Sequence, residues 1–189
     1  MNSIGKIVHA FCVRLRIWKY RLLSDCKNVK GKPQQNYPVL LKGNGTIEFS
    51  ENVVVGVVLS PGYYVGYGYM EARTPISKIE IGYDVFLNNG FSIVSNEGIS
   101  IGNKTIIGTN FSVVDSDFHY LNPDKRHDPN PPSAPVKIGD KVFIGNNVTV
   151  LKGVTIGDNS VIGSNSLVSS SIPDNVIAAG NPAKVIRKL

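Results

Sequence analysis

Cysteine is scarce in this chain of 189 residues, which holds only Cys12 and Cys26, both near the N-terminus. Two thiols cannot build a disulfide framework, and unpaired thiols suit a reducing compartment, so a cytoplasmic protein is expected. Histidine is nearly as scarce, with His9, His119 and His127 the full set. A zinc site of three imidazoles would need all of them to converge, and His9 lies far upstream, so no metal is expected. Long hydrophobic runs are also missing. The longest uncharged stretch near the N-terminus, Ile7–Val13, is too short for a signal-peptide core or a bilayer span. No nucleic-acid-binding motif accompanies the basic residues, so a nucleic-acid partner is not expected.

What remains is an ordinary globular composition, 42% apolar, in a length that fits one domain with a small N-terminal appendage. Nineteen glycines suggest many tight corners rather than long helices. The net charge of +6 fits an anionic partner such as a phosphorylated cofactor, a nucleic acid or an acidic membrane, and charge alone does not choose among them.

Residues 2–24 read as one amphipathic helix. Ile4, Ile7, Val8, Phe11, Leu15, Trp18 and Leu22 fall on one face, and Lys6, Arg14, Arg16, Lys19 and Arg21 supply positive charge. The stripe would pack on the rest of the protein or on a neighbouring subunit; alternatively, the helix lies on a membrane surface. Residues 25–40, with Pro33 and Pro38, read as a polar linker. The division expected is therefore 1–40 for helix and linker and 41–189 for the main domain.

In the main domain Ile138, Ile144, Val150, Ile156, Ile162 and Val168 stand six residues apart without a break. Glycine follows four of them directly, at Gly139, Gly145, Gly157 and Gly163. Val142, Val148, Val154, Ser160, Ser166 and Ile172, small or β-branched, stand four residues after each aliphatic. A period of six suits short strands joined by corners, each sending one residue into a shared core, and three such strands close one triangular coil. Ile138 should then stack under Ile156, Ile144 under Ile162 and Val150 under Val168, with stability coming from coil on coil.

The same register recurs upstream as Ile81, Leu87, Ile93 and as Ile101, Ile107, Val113, with two residues inserted near Glu97-Gly98. An earlier coil is expected around Ile47–Val55. Two stretches break the pattern. Residues 59–78 read as a loop whose four tyrosines either line a sugar site or cover the surface. Residues 114–137, with five prolines, form an interruption long enough to suggest a functional excursion.

The run IGDKVFIGNNVTVLKGVTIGDNSVIGSNSLVSSSIPDNVIAAGNPAKVIRKL is similar to the C-terminal half of the maltose, galactoside and polysaccharide O-acetyltransferases. VFLNNGFSIVSNEGISIGNKTIIG resembles the same family, so the likeness covers about residues 41–189. AGNPAKVI is its most specific element, since hexads alone mark only the fold. The resemblance implies an all-β, left-handed parallel β-helix, a homotrimer with active sites between subunits, and acetyl transfer from acetyl-CoA to a saccharide hydroxyl.

By that resemblance His119, in DSDFHY, matches the catalytic histidine and Asn88, in VFLNNG, the acceptor-binding asparagine. The chemistry agrees: a sugar hydroxyl needs a base, and a histidine side chain, with an ordinary pKa of about 6.5, serves at neutral pH. Asp115 or Asp117 would fix its tautomer, and Asp117 is taken as the second catalytic residue. His9 and His127 read as solvated. An inward asparagine ladder is the competing role for Asn88. Backbone groups around Asn146, Ser164 and Ser166 match cofactor-binding positions, and Lys184, Arg187 and Lys188 can pair with phosphates. Ser169-Ser170-Ser171 stands where many relatives carry Thr-Lys, which removes one phosphate-binding cation.

Other readings are an amino-sugar N-acetyltransferase, a non-catalytic β-helix scaffold and a zinc-dependent carbonic anhydrase. A covalent acyl-cysteine route is disfavoured because neither cysteine lies in the repeats or beside a histidine.

Overall fold

The computed structural model describes residues 3–58 and 60–189. Its body is a three-sided parallel β-helix of short strands. The first sheet stacks Asn28–Lys30, Thr46–Phe49, Lys78–Ile81, Gly98–Ile101, Val136–Ile138 and Thr155–Ile156. The second runs from Gln34–Gln35 through Val54–Val55, Phe86–Leu87, Ile106–Ile107 and Phe143–Ile144 to Val161–Ile162, and ends in the pair Val176–Gly180 and Ala183–Lys188. The third stacks Val39–Lys42, Gly68–Ala72, Ser92–Ser95, Ser112–Val114, Thr149–Val150 and Leu167–Val168.

The stacking follows the hexads. Ile138 pairs with Ile156, Ile144 with Ile162 and Val150 with Val168. Upstream, Ile81 pairs with Ile101 and Leu87 with Ile107. These side chains are buried in one continuous core, each contributing about 1.5–3 kcal/mol over exposure. The residues four places on, from Val142 to Ile172, are buried too. Glycine after the aliphatic is a packing requirement: a Cβ on Gly145 would sit 2.6 Å from the backbone nitrogen of Ser164 in the next coil.

One expectation is corrected at the N-terminal end. The segment read as a linker already forms the first coil, since Asn28–Lys30 pairs with Thr46–Glu48 and Gln34–Gln35 with Val54–Val55. Polar side chains on these strands hide the hexad, because the coil has a neighbour on one side only.

Helix α1 spans Ser3–Leu23. Asn2, expected as its first residue, and the side chains of Ile4, Lys6 and Ile7 lie outside the described residues. Of its apolar stripe the described side chains, Val8, Phe11, Leu15, Trp18 and Leu22, are exposed and not laid on the body. Instead Val13 is buried, Ile17 packs beside it, and Arg16 donates to the carbonyls of Tyr63 at 2.8 Å and Gly66 at 2.6 Å. His9 stacks on Tyr63 and bonds the Tyr64 hydroxyl at 2.9 Å, so it is an anchor rather than free surface. Tyr20 stacks on Tyr67 with centroids 4.6 Å apart. Tyrosines 63, 64 and 67 therefore fasten α1.

Candidate active site

The long interruption leaves the third sheet after Val114 and rejoins the first at Val136. It is a tied loop. An antiparallel bridge joins Ser116 to Ser133, the Tyr120 hydroxyl donates to the Asn130 carbonyl at 2.8 Å, and Pro123–Lys125 makes one 3-10 turn. His119 stands exposed near its start.

The Nδ1 of His119 lies 3.0 Å from the carbonyl oxygen of Arg126. A carbonyl can only accept, so this nitrogen donates, and in the neutral imidazole Nε2 keeps its lone pair. Neither expected carboxylate makes this contact. Asp117 pairs with Lys152 at 2.5 Å, tying the loop to the next coil. Asp115 is buried and accepts from the Ser95 hydroxyl and from the backbone N–H groups of Asn96, Glu97 and Gly98, at 2.7–2.9 Å. It holds the two-residue insertion, away from the imidazole.

Phe118, just before His119, has φ of 57°, a left-handed conformation costing about 1–3 kcal/mol for a bulky residue. Its N–H donates to Ser116 Oγ at 3.0 Å, and Arg73 lies over its ring at 4.5 Å. Arg73 is held by two bonds to Glu71, of 2.9 and 3.1 Å. The Arg73 guanidinium holds the Glu71 carboxyl below its usual range, against the opposing effect of burial. Burial, then the neighbouring Glu71, pushes the Tyr69 phenol up to about 12. Arg73, Glu71 and Phe118 escaped the sequence reading because no spacing relates a strand end to a loop two coils away.

Asn88, Asn146 and Ser164 come together on one groove of about 490 Å³ along the second sheet, with Ile106, Phe143 and Ser60 in its walls. Asn88 Nδ2 donates to Ser60 Oγ at 3.0 Å. Its neighbour Asn89 is the inward asparagine: buried, it donates to the carbonyls of Val57, Ser60 and Pro61 and accepts from the Val57 N–H. Ser166 is also buried, with its hydroxyl on the Gly163 carbonyl at 2.6 Å, so its side chain does not face the groove. Lys184 and Arg187 are exposed on Ala183–Lys188, the strand that extends the second sheet. His119 is at another corner: it follows the third sheet, whereas Asn88 lies between the second and the third.

Residues 135–170 match the bacterial transferase hexapeptide family, described as six repeats. The chain is 35% identical over 160 residues to WbbJ of Escherichia coli K12, which is named for an O-acetyl transferase of lipopolysaccharide biosynthesis; the match covers 80% of this chain and 76% of that one. The chain belongs to the hexapeptide-repeat O-acetyltransferase family. A solved structure of galactoside acetyltransferase in complex with coenzyme A matches at 31% identity and TM-score 0.52, covering 79% of this chain and 65% of that one. A hexapeptide-repeat acetyltransferase of Vibrio cholerae O1 biovar eltor, complexed with acetyl coenzyme A, matches at 32% identity and TM-score 0.54, over 60% and 61% of the two chains. The chain spans about three fifths to three quarters of the curated relatives it matches. The fold is the left-handed β-helix of this family.

Proposed function

We propose that the chain moves an acetyl group from acetyl-CoA directly to a saccharide hydroxyl, with His119 as general base. The observation that carries the reading is the bond from Nδ1 to the Arg126 carbonyl, which leaves Nε2 able to accept a proton on an exposed loop. Nε2 takes the hydroxyl proton as the oxygen attacks the thioester carbonyl carbon. The tetrahedral intermediate collapses, the C–S bond breaks, and the imidazolium returns the proton to the departing thiolate. The products are an acetyl ester and coenzyme A. The Arg126 carbonyl does the orienting work expected of Asp117, which instead steadies the loop root through Lys152.

The second sheet suits the coenzyme A arm. Phe86, Ile106 and Phe143 stack in register with exposed side chains, an apolar floor for pantetheine, and Asn146 and Ser164 border it. Lys184 and Arg187 lie at the far end for the phosphates. His119 and Asn88 occupy different corners of one prism, so a site holding both draws them from two copies. A closed trimer gives three equal sites. A saccharide acceptor also fits the relatives named for galactosides and lipopolysaccharide.

The test is free-thiol release from acetyl-CoA across a panel of mono- and oligosaccharides and amino sugars. Acceptor-dependent release with hydroxyl sugars is expected. Release with amino sugars alone would make the protein an N-acetyltransferase, and coenzyme binding without release would make it a scaffold.

A further inference from the structure

Arg16, His9, Val13, Ile17 and Tyr20 face the body from one side of α1. At about 100° per residue, Val8, Phe11, Leu15, Trp18 and Leu22 fall within an arc of about 80° on the opposite side. That arc is bare: Phe11 is 66% exposed, Trp18 59% and Leu22 65%. Arg14 and Lys19 border it on its two edges, both exposed, and no acidic residue lies in the helix.

The charge of the chain is concentrated at the same end. Residues 1–32 hold eight lysines and arginines against Asp25 alone, whereas the other 157 residues hold 12 basic and 13 acidic. The positive excess thus belongs to α1 and the segment after it.

We propose that α1 is a membrane-docking element that lays its outward stripe into the interfacial layer of an anionic phospholipid surface. Phe11, Leu15 and Leu22 enter the acyl boundary, Trp18 sits at headgroup level, and Arg14 and Lys19 pair with lipid phosphates. Among the described residues no helix is long and apolar enough to cross a membrane, so the helix lies on the surface. A second copy of this chain is a poorer occupant, because outside the basic segment its acids outnumber its bases by only one, too few to answer these charges.

Trp18 is the only tryptophan, so its emission reports the stripe alone. The full chain is titrated with phosphatidylcholine vesicles and with vesicles of equal parts phosphatidylcholine and phosphatidylglycerol. A blue shift and protection from acrylamide are expected with the anionic vesicles only. Phe11→Ser and Leu15→Ser should each weaken partitioning at least about tenfold, with thermal unfolding unchanged because neither side chain packs on the body. Arg14→Glu with Lys19→Glu should abolish the preference for phosphatidylglycerol. No shift with either vesicle, or equal binding to both, overturns the proposal. So does a Trp18 already shielded without lipid, with Phe11→Ser lowering the oligomeric mass, which would make the stripe a subunit contact.

Discussion

The guanidinium of Arg73 lies 4.5 Å from the centre of the Phe118 ring, and Phe118 directly precedes His119. A strained residue next to a proposed base needs an external hold, and Arg73 supplies it from the end of a strand two coils away. Glu71 fixes Arg73 in turn, so the chain of contacts runs from a strand of the third sheet to the imidazole's own backbone.

Arg73→Ala should therefore lower kcat about five- to thirtyfold, with little change in KM for acetyl-CoA. Arg73→Lys should recover part of the loss. If Arg73 served stability alone, the folded variant would keep its kcat and lose only Tm.

Glu71 gives this network a pH dependence of known sign. Its carboxyl is held below the ordinary 4.5, chiefly by Arg73, so the stabilisation is complete above that value. It is lost as pH falls through the lower, folded-state value. Thermal unfolding followed from pH about 6 downward should show a steeper decline in the parent than in Glu71→Gln. Equal slopes would show that Arg73 does not favour the charged form.

Much of the fold was legible because each hexad sends one aliphatic inward, and Ile144 over Ile162 follows from counting. The first coil was not, since Val29 is the one apolar residue of Asn28–Lys30 and Gln34–Gln35 and the coil is stacked from one side only. Periodicity also found the stripe on α1 but not its direction. The body-facing side is held by Arg16 on two carbonyls and by tyrosine stacking, with only Val13 and Ile17 as its apolar contacts, too few to mark a face in the sequence. At the candidate site the family motif picked out His119 and Asn88, but a motif carries no partners. A backbone carbonyl such as that of Arg126 has no sequence signature, so carboxylates were the natural guess for orienting the ring.

Coil stacking can be tested at two glycines. A Cβ at Gly145 would meet the Ser164 nitrogen at 2.6 Å, whereas at Gly98 the nearest atom is Pro135 Cβ at 3.8 Å. Gly145→Ala should cost about 1–3 kcal/mol and lower Tm by several degrees. Gly98→Ala should be close to neutral in the same thermal melt.

Placement of His119 and Asn88 on separate corners predicts complementation. His119→Ala and Asn88→Ala should each be nearly inactive. Co-refolded in equal amounts, they should regain about one quarter of parental activity, because one site in four then draws both intact residues from neighbouring copies. No recovery would mean that each subunit builds its site alone.

The most direct test of the account is the rate of thiol release from acetyl-CoA with a saturating saccharide acceptor, compared between the parent and His119→Ala at neutral pH. A loss of about two to four orders of magnitude is expected, with the oligomer still folded. A folded His119→Ala retaining near-full activity would contradict His119 as the base.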